Sequence, residues 1–296
     1  MDTFRVAIGI ATAGRPNILS DTLDFITELT GNTCEILICP ASETDIDYNR
    51  LQSLNGCVRI VRGTRGLPAQ RNALFDACDA DVLVFFDDDF LPAANFVEQV
   101  VNLFQENQDV VAATGHVIAD GILTEGLSFE DGRRLLSAAG NEANSDKIVE
   151  TYGAYGCNMI IRMATVRDHG LRFDEKLPLY AWLEDLDFSR RIAVFGRIVK
   201  SYHLRGVHLG TKQSGRSPGH RLGYSQVANP IYLARKGSIE WRRALKHVCR
   251  NFVANSVRSV RPEPWVDRQG RLRGNLIAIK DTFLGKLHPQ RILELD

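Results

Sequence analysis

Short apolar runs alternate with segments of helical periodicity along the first third of the chain. Buried β-strands are predicted over four of these runs, at residues 4–11, 35–39, 58–61 and 82–86. Between the runs, apolar residues recur every three or four positions, as at Leu19, Leu23 and Ile26, which predicts amphipathic helices. Strands that alternate with helices favour right-handed βαβ units and a parallel sheet. We therefore expect an α/β fold whose first part is typical of a nucleotide-binding half-domain.

The middle of the chain continues this pattern less regularly. A helix is predicted after Pro92 and a strand at residues 110–116. Residues 117–150 are polar and weakly periodic, so we expect a variable loop or short helices there. A further strand is predicted at residues 155–162.

The last part of the chain has mainly helical periodicity. A helix is predicted over residues 182–195, because acids occupy its first turn and Gly196 follows its end. A short strand is expected within residues 198–210, and the pattern is helical again from about Tyr224. We expect two domains, a catalytic α/β domain at residues 1–222 and a basic helical extension at residues 223–296.

Composition and charge change this picture in one respect. The chain has 296 residues, of which 44% are hydrophobic and 24% charged, as in an ordinary globular protein. Net charge is zero but uneven: residues 231–296 hold 14 Lys and Arg against 6 Asp and Glu, and residues 1–230 hold 22 against 30. A basic tail on an acidic body suggests an anionic partner such as a phosphate-bearing lipid surface, and a solvated helical surface is the alternative.

The cysteines and the hydropathy of the chain bear on its expected cellular location. Its six cysteines form no C-x-x-C pair, and no apolar window is long enough to span a membrane. The start of the sequence reads as a strand, so no signal segment is expected there. We expect a reducing cytoplasm, with peripheral attachment to the inner face of the plasma membrane as an option.

Three consecutive carboxylates, Asp87, Asp88 and Asp89, follow the fourth strand directly. Adjacent carboxylates repel one another and resist burial, so they need either a cation or an exposed rim. The carboxyl end of a strand in an open α/β sheet supplies such a rim, and an acidic turn in water is the alternative. The chain lacks the glycine-rich dinucleotide and P-loop signatures, so a bound nucleotide would need a metal to take up phosphate charge.

Taken in order, several short motifs resemble the family 2 glycosyltransferases with the GT-A fold. The matching segments are Ala11-Thr12 with Arg15-Pro16, Gly66 with Arg71-Asn72-Ala73-Leu74, Phe86-Asp87-Asp88-Asp89, Gly156-Cys157-Asn158 with Arg162, Phe173-Asp174-Glu175, and residues 182–190 followed by His208. The resemblance covers roughly residues 4–210. It implies a Rossmann-like, mostly parallel central sheet flanked by helices, with a helical C-terminal extension.

The resemblance implies a donor and metal site. Asp89 is expected to bind Mg²⁺ or Mn²⁺ directly, with His208 completing the shell and His203 as the competing choice. Thr12, Ala13, Arg15, Gly66, Arg71, Asp87 and Asp88 are expected to contact the nucleotide-sugar donor. The family's acid at the end of the second strand is absent, since this chain reads Cys39-Pro40-Ala41-Ser42-Glu43. Either Glu43 or Asp45 takes that contact, or the base differs from uracil.

Catalytic and acceptor roles are implied for residues further along. Asp185 is expected to be the general base that takes the acceptor's proton, with Glu184 beside it. Asp187 is expected to be structural. Trp182 is expected to stack on the acceptor sugar and Asn158 to hydrogen-bond the donor or acceptor, against core packing and strand bonding as alternatives.

The predicted activity is inverting, metal-dependent sugar transfer in surface polysaccharide or glycolipid synthesis. Its expected partners are a nucleoside-diphosphate sugar, a saccharide or lipid-linked acceptor and an anionic membrane surface, with no nucleic acid. The alternatives are a Mg²⁺-dependent phosphohydrolase and a catalytically inactive nucleotide- or carbohydrate-binding module.

Overall fold

The computed structural model of the chain describes residues 4–31, 34–52, 54, 56–140, 147–212 and 218–295. The chain forms two compact units. Unit 1 comprises Met1–Arg65, Ala69–Arg172 and Arg191–Gly215, and unit 2 comprises Gly66–Pro68, Phe173–Arg190 and Arg216–Asp296. The division at residues 222/223 stays a prediction.

Nine strands are described, all in unit 1. They are β1 (Val6–Thr12), β2 (Glu35–Pro40), β3 (Val58–Ile60), β4 (Val82–Asp87), β5 (Phe90–Pro92), β6 (Val110–Asp120), β7 (Ile148–Glu150), β8 (Asn158–Arg162) and β9 (Arg197–His208).

The described helices are distributed over the whole chain. They are α1 (Pro16–Thr30), α2 (Tyr48–Leu51), α3 (Leu67–Ala77), α4 (Phe96–Glu106), α5 (Phe129–Ala138), α6 (Met163–His169), α7 (Glu184–Ile192), α8 (Gly219–Lys236), α9 (Trp241–Arg258) and α10 (Arg268–Phe283). Short 3₁₀ turns occupy Glu43–Asp45, Gly121–Leu123 and Pro289–Glu294.

One sheet organises unit 1, in the order β3-β2-β1-β4-β8-β6-β9-β5, and β7 pairs with β9. Strands β3, β2, β1 and β4 run parallel, as do β6 and β9, whereas β8, β5 and β7 run antiparallel to their neighbours. Helices such as α1 and α4 cover its faces with apolar side chains, including Leu23 and Phe104. The α/β fold with a mostly parallel sheet is therefore confirmed.

Unit 1 departs from the sequence-based prediction where strands pair over long sequence distances. The strand predicted at residues 110–116 continues to Asp120, and the short strand expected within residues 198–210 spans Arg197–His208. Strand β5 was not predicted. Of the expected variable segment 117–150, α5 and β7 lie in its second half, and residues 141–146 lie outside the described residues.

Glycine at position 206 lets β5 pair closely with β9. A Cβ there would lie 2.3 Å from the Phe90 ring and 2.7 Å from the Leu91 carbonyl oxygen. Because overlaps of this size cannot be relieved by rotating a flexible side chain, only glycine fits. The pairing fixes the end of β9, where His208 lies opposite Phe90.

Helices α8, α9 and α10 form most of unit 2. Helices α8 and α10 approach closely at two glycines: a Cβ on Gly274 would lie 1.9 Å from the His220 carbonyl oxygen, and one on Gly223 would lie 2.0 Å from that of Arg271. At the same crossing Asn275 donates a hydrogen bond of 2.6 Å to the Gly223 carbonyl oxygen. Among the described residues, no helix combines the length and apolarity needed to cross a bilayer.

Candidate functional site

The three aspartates of unit 1 lie at the carboxyl end of β4, next to the end of β1. Asp87 is the last residue of β4 and pairs in register with Ala11 of β1. Asp88 and Asp89 form the turn that leads into β5. Within this turn the Asp88 carboxylate contacts Arg15 and Thr12, whereas the carboxylates of Asp87 and Asp89 lie near His208.

Asp87, Asp89 and His208 form a cluster of three ligand atoms that lie within 4.8 Å of one another. The His208 Nε2 atom is 3.4 Å from Asp89 Oδ1 and 3.7 Å from Asp87 Oδ2. Asp89 is almost fully buried, and its Oδ2 accepts a hydrogen bond of 2.9 Å from the Thr211 backbone N–H. Asp87 is about one-third exposed, at 34% for its side chain, so the cluster is reachable from solvent on one side.

A second layer of contacts orients His208. Its Nδ1 lies 2.8 Å from Asp120 Oδ1, and the two residues are cross-strand partners at the ends of β9 and β6. Asp120 also accepts hydrogen bonds from the Tyr155 hydroxyl at 2.9 Å and from the Ile122 backbone N–H at 3.0 Å. With Nδ1 committed to Asp120, Nε2 is the atom of His208 that faces the two aspartates.

Asp88 is completely buried beneath Arg15. Arg15 Nη2 lies 2.6 Å from Asp88 Oδ1, and the Thr12 hydroxyl donates to Asp88 Oδ2 at 2.6 Å. Arg15 Nη1 also lies 3.4 Å from Asp89 Oδ2. The guanidinium therefore bridges two of the three carboxylates and joins the loop after β1 to the turn after β4.

Burial and charge act in opposite directions on the pKa values of this cluster. Burial raises the pKa of Asp88 to about 7, although Arg15 and the Thr12 hydroxyl act to lower it. Burial would also raise the pKa of Asp89, but contact with His208, the Arg15 charge and the Thr211 N–H lower it below its ordinary value. Burial would lower the pKa of His208, and its bonds to Asp120 and Asp89 instead raise it to about 10. The imidazolium thus occupies the position of a cation between carboxylates.

The donor set of this cluster fits a divalent cation. Asp89 Oδ1 is buried and accepts no hydrogen bond from the described residues, and His208 Nε2 lies 3.4 Å from it. Two carboxylate oxygens and one imidazole nitrogen are ligands that first-row divalent metals accept. The cluster can therefore hold such an ion once His208 releases its Nε2 proton.

Arg71 and Gln70 of α3 tie the strand ends together. Arg71 is buried, donates to the Gly156 carbonyl oxygen at 2.9 Å and lies 3.7 Å from Asp87 Oδ1. Gln70 Nε2 donates to the carbonyl oxygens of Thr12 and Cys39 at 2.9 and 2.7 Å. Arg71 is thus a buried residue of α3 and not a solvated one.

The loop after β2 separates the two candidates for the base contact. Asp45 is buried, and its carboxylate accepts hydrogen bonds from the Gly14 and Ser42 backbone N–H groups at 2.7 and 2.8 Å. Glu43 is exposed. Asp45 therefore holds the loop next to Ala13, and the Glu43 carboxylate is the one that faces solvent.

Asn158 is completely buried at the start of β8. Its Oδ1 accepts hydrogen bonds from the Thr114 hydroxyl at 2.5 Å and the Gly115 N–H at 3.3 Å. Its Nδ2 has no hydrogen-bond partner among the described residues. The amide therefore joins β8 to β6, and its contact with a sugar stays a prediction.

The acidic pair of unit 2 begins α7. Glu184 is buried and Asp185 is half-buried, with Asp185 Oδ1 2.7 Å from the Leu186 backbone N. Trp182 is half-buried, its carbonyl oxygen accepts a hydrogen bond of 2.8 Å from Asn229, and its ring meets His247 edge-on at 5.7 Å. Helix α7 is shorter than predicted, because residues 182–183 form a turn and the helix ends at Ile192.

Backbone strain precedes this pair. Leu179, Ala181 and Leu183 have φ angles of 58°, 51° and 75°, a region that residues other than glycine rarely adopt. Such conformations cost free energy and concentrate at functional sites. Gly66, also of unit 2, has a φ of 131° where α3 begins, and the next residue donates a hydrogen bond of 2.9 Å to the Leu179 carbonyl oxygen.

Asp187 has a packing role in unit 2. It is fully buried and accepts hydrogen bonds from Lys236 Nζ at 2.9 and 3.0 Å and from the Ser238 hydroxyl at 2.5 Å. These bonds join α7 to the end of α8, and they agree with the structural role expected for this residue.

Sequence reasoning missed three members of this site. Asp120 lay in a segment that was predicted to be a loop. Nothing in the sequence pointed to Tyr155. Asp87 was assigned to the donor, whereas its carboxylate lies with Asp89 and His208. Asp88 and Asp89 lie in a turn after β4, so strand alternation gives no signal that groups Asp87 with Asp89.

Comparison with known proteins agrees with this geometry. The model of glycosyl transferase family 2 matches residues 7–168. Among curated proteins, none matches the sequence. Similar solved structures include three glycosyltransferases.

Mannosyltransferase PcManGT from Pyrobaculum calidifontis, in complex with GDP-Man and Mn²⁺, is 15% identical with a TM-score of 0.57, over 98% of this chain and 84% of that one. GalNAc-T7 with UDP, GalNAc and Mn²⁺ is 13% identical with a TM-score of 0.57, over 99% and 56%. S. aureus TarS is 14% identical with a TM-score of 0.51, over 76% and 40%. The chain thus spans about half the length of the last two. At these identities the likeness shows the GT-A fold.

Proposed function

The chain belongs to glycosyl transferase family 2, and on this premise we propose that it transfers a sugar from a nucleoside-diphosphate sugar to an acceptor hydroxyl with inversion at the anomeric carbon. The observation that carries the proposal is the cluster of Asp87, Asp89 and His208 at the carboxyl end of a parallel strand. Open α/β sheets bind ligands at that edge. The presence of Mn²⁺ with nucleotides in two similar structures supports it further.

Asp87, Asp89 and His208 hold the divalent cation in this proposal. Mn²⁺ suits the cluster better than Mg²⁺, because Mg²⁺ prefers oxygen ligands and one of these three ligands is an imidazole nitrogen. A cation bound there neutralises charge that develops on the departing diphosphate.

The donor contacts are proposed residue by residue. Arg15 holds Asp88 and faces the same edge, so it can pair with a phosphate oxygen as well. Arg71 positions the Gly156 loop and Asp87. The remaining donor contacts that we propose are Thr12, Ala13, Glu43, Gly66 and Asp88.

Asp185 is the proposed general base, with Glu184 next to it. The carboxylate takes the proton of the acceptor hydroxyl while the hydroxyl oxygen attacks the anomeric carbon. One base and one displacement invert the configuration, so an α-linked donor gives a β-linked product. Trp182 and Asn158 are proposed to contact the acceptor sugar.

The acceptor is proposed to be a saccharide or a lipid-linked saccharide, in surface polysaccharide or glycolipid synthesis on the cytoplasmic side of the membrane.

The donor base and the metal are tested by thermal unfolding with UDP, GDP, dTDP or CMP, each with Mn²⁺, with Mg²⁺ or without a divalent ion. One nucleotide is expected to raise the midpoint by several degrees with Mn²⁺, because a ligand at a hundred times its dissociation constant adds about 2.7 kcal/mol. If no nucleotide raises the midpoint, or if the rise does not depend on the ion, the donor site is wrong.

Asp120→Asn is expected to weaken Mn²⁺ binding roughly 10- to 100-fold, the usual effect of removing the partner of a metal-bound histidine. The substitution keeps the size of the side chain but removes the charge that fixes the His208 ring. Titration of free Mn²⁺ by electron paramagnetic resonance measures the affinity. Tyr155→Phe, which removes one hydrogen bond to Asp120, should have a smaller effect, and exposed Asp168→Asn none. Wild-type affinity in Asp120→Asn would contradict this role.

A further inference from the structure

Helix α10 of unit 2 exposes a face that mixes apolar and basic side chains. Gln269, Arg273, Leu276, Lys280 and Phe283 recur at intervals of three and four residues and are all exposed. Leu276 is 52% exposed and Phe283 is 86% exposed. A helix that packs on a core through one face ordinarily has polar residues on the opposite face. The exposed apolar side chains here therefore indicate a surface that contacts an apolar partner.

A groove of about 470 Å³ runs beside this face. Leu272, Leu276 and Ile277 form its apolar lining, and Arg273 and Lys280 lie at its edge. Ser259, just after α9, and Gln269 complete it. The groove thus offers an apolar surface and two cations within two turns of one helix.

The charge around the groove favours an anionic occupant. Within the described part of the chain, no ion pair joins Arg273 or Lys280 to a carboxylate. Residues 231–296 hold 14 Lys and Arg against 6 Asp and Glu. Basic residues near an anionic lipid surface each strengthen binding, and apolar side chains between them enter the interfacial layer.

Helix α9 carries exposed residues of the same kind. Arg242, Lys246 and Arg250 are followed by Val253 and Val257 at intervals of three or four residues, and all five are exposed. A second basic and apolar helix in the same unit is expected for a protein that meets a membrane surface, and it is not needed for packing.

We propose that the exposed face of α10 and its groove form a binding site for anionic phospholipid at a membrane surface. Leu276 and Phe283 enter the boundary between headgroups and acyl chains, and Arg273 and Lys280 contact lipid phosphates. The site gives residues to the contact with an anionic membrane surface that the basic tail suggests, and it does not depend on sugar transfer, because no member of the metal cluster takes part.

Co-sedimentation with vesicles tests the site, using phosphatidylcholine alone and phosphatidylcholine mixed with phosphatidylglycerol. The full chain should sediment only with the mixed vesicles, and less so as salt is raised. Arg273→Gln with Lys280→Gln should lower the partition coefficient roughly 25-fold, since each cation near such a surface contributes about a factor of five. Leu276→Ser with Phe283→Ser should lower it about tenfold or more.

The matched control replaces exposed side chains of unit 1 in the same way, with Val194→Ser and Arg134→Gln. This variant should partition like the wild type. Equal loss in the control, or equal binding to neutral vesicles, overturns the proposal. A third outcome also overturns it: the wild type does not bind vesicles, and Leu276→Ser with Phe283→Ser lowers the oligomeric mass. The face would then be covered by a second copy of the chain. Nucleotide binding, measured on the same variants, should be unchanged, which separates failure of this site from failure of the proposed activity.

Discussion

Asp89→Asn is expected to remove sugar transfer almost completely, by roughly a thousandfold or more. Asp89 is the most buried carboxylate of the proposed metal cluster, and its Oδ1 accepts no hydrogen bond from the described residues. Asparagine keeps the shape of the side chain but removes the charge that holds a divalent cation. Metal stabilisation of a leaving diphosphate is worth several kcal/mol, at about 1.4 kcal/mol per tenfold in rate.

Three measurements on Asp89→Asn separate a lost metal from a lost fold. Mn²⁺ affinity should fall with activity, circular dichroism should be unchanged, and a chelator should reduce the wild type to the level of the variant without lowering the variant further. Asp168→Asn, an exposed aspartate of α6 in the same unit, is the control for the loss of one negative charge. Turnover and Mn²⁺ affinity near wild type in Asp89→Asn would rule out this cluster as the metal site.

Asp185→Asn is expected to lower kcat roughly 10²- to 10⁴-fold while it leaves Mn²⁺ and nucleotide affinity unchanged. A general base contributes about this much to a proton transfer, and it acts on the acceptor rather than on the donor. The measurement is a kcat and KM determination with the donor and acceptor identified by the nucleotide screen, beside calorimetric titration of the nucleotide. A loss of nucleotide affinity equal to the loss of kcat would assign Asp185 to donor binding instead.

Asp187→Asn is the matched comparison, because it changes another acid of the same helix. Asp187 is buried against Lys236 and Ser238, so its loss should lower the free energy of unfolding by about 1–3 kcal/mol. Activity per folded molecule should remain within about threefold. If Asp187→Asn lowers kcat as much as Asp185→Asn does, the effect comes from disturbing α7 and not from a missing base. If Glu184→Gln lowers kcat while Asp185→Asn has a nearly normal kcat, the general base is Glu184.

Much of unit 1 could be predicted because its information is local. The runs that became β1, β2 and β4 are apolar and short, Pro40 ends β2, and the helix that follows β1 shows clear periodicity. Family resemblance also depends on local motifs, and the match over residues 7–168 bears it out. It favours a transferase over the phosphohydrolase that the acidic triplet alone would also allow.

The segments that were read less well depend on distant partners. Strand β5 has only three residues, Phe90–Pro92, and it is a strand because β9 pairs with it. The part of β6 that reaches Asp120 is half-buried, and its register with β9 sustains it. Local propensity cannot show either feature, since both depend on cross-strand contacts.

By itself, the sequence determined the α/β class, the family and the position of three adjacent carboxylates at the end of a buried strand. Only the tertiary structure decided which groups each carboxylate contacts. The turn after β4 places Asp88 against Arg15 and Thr12 and leaves Asp87 and Asp89 together near His208. Pairing of β9 with both β5 and β6 then brings His208 to those two and sets Asp120 behind it. Residues so far apart along the chain meet through strand register, which no local pattern encodes.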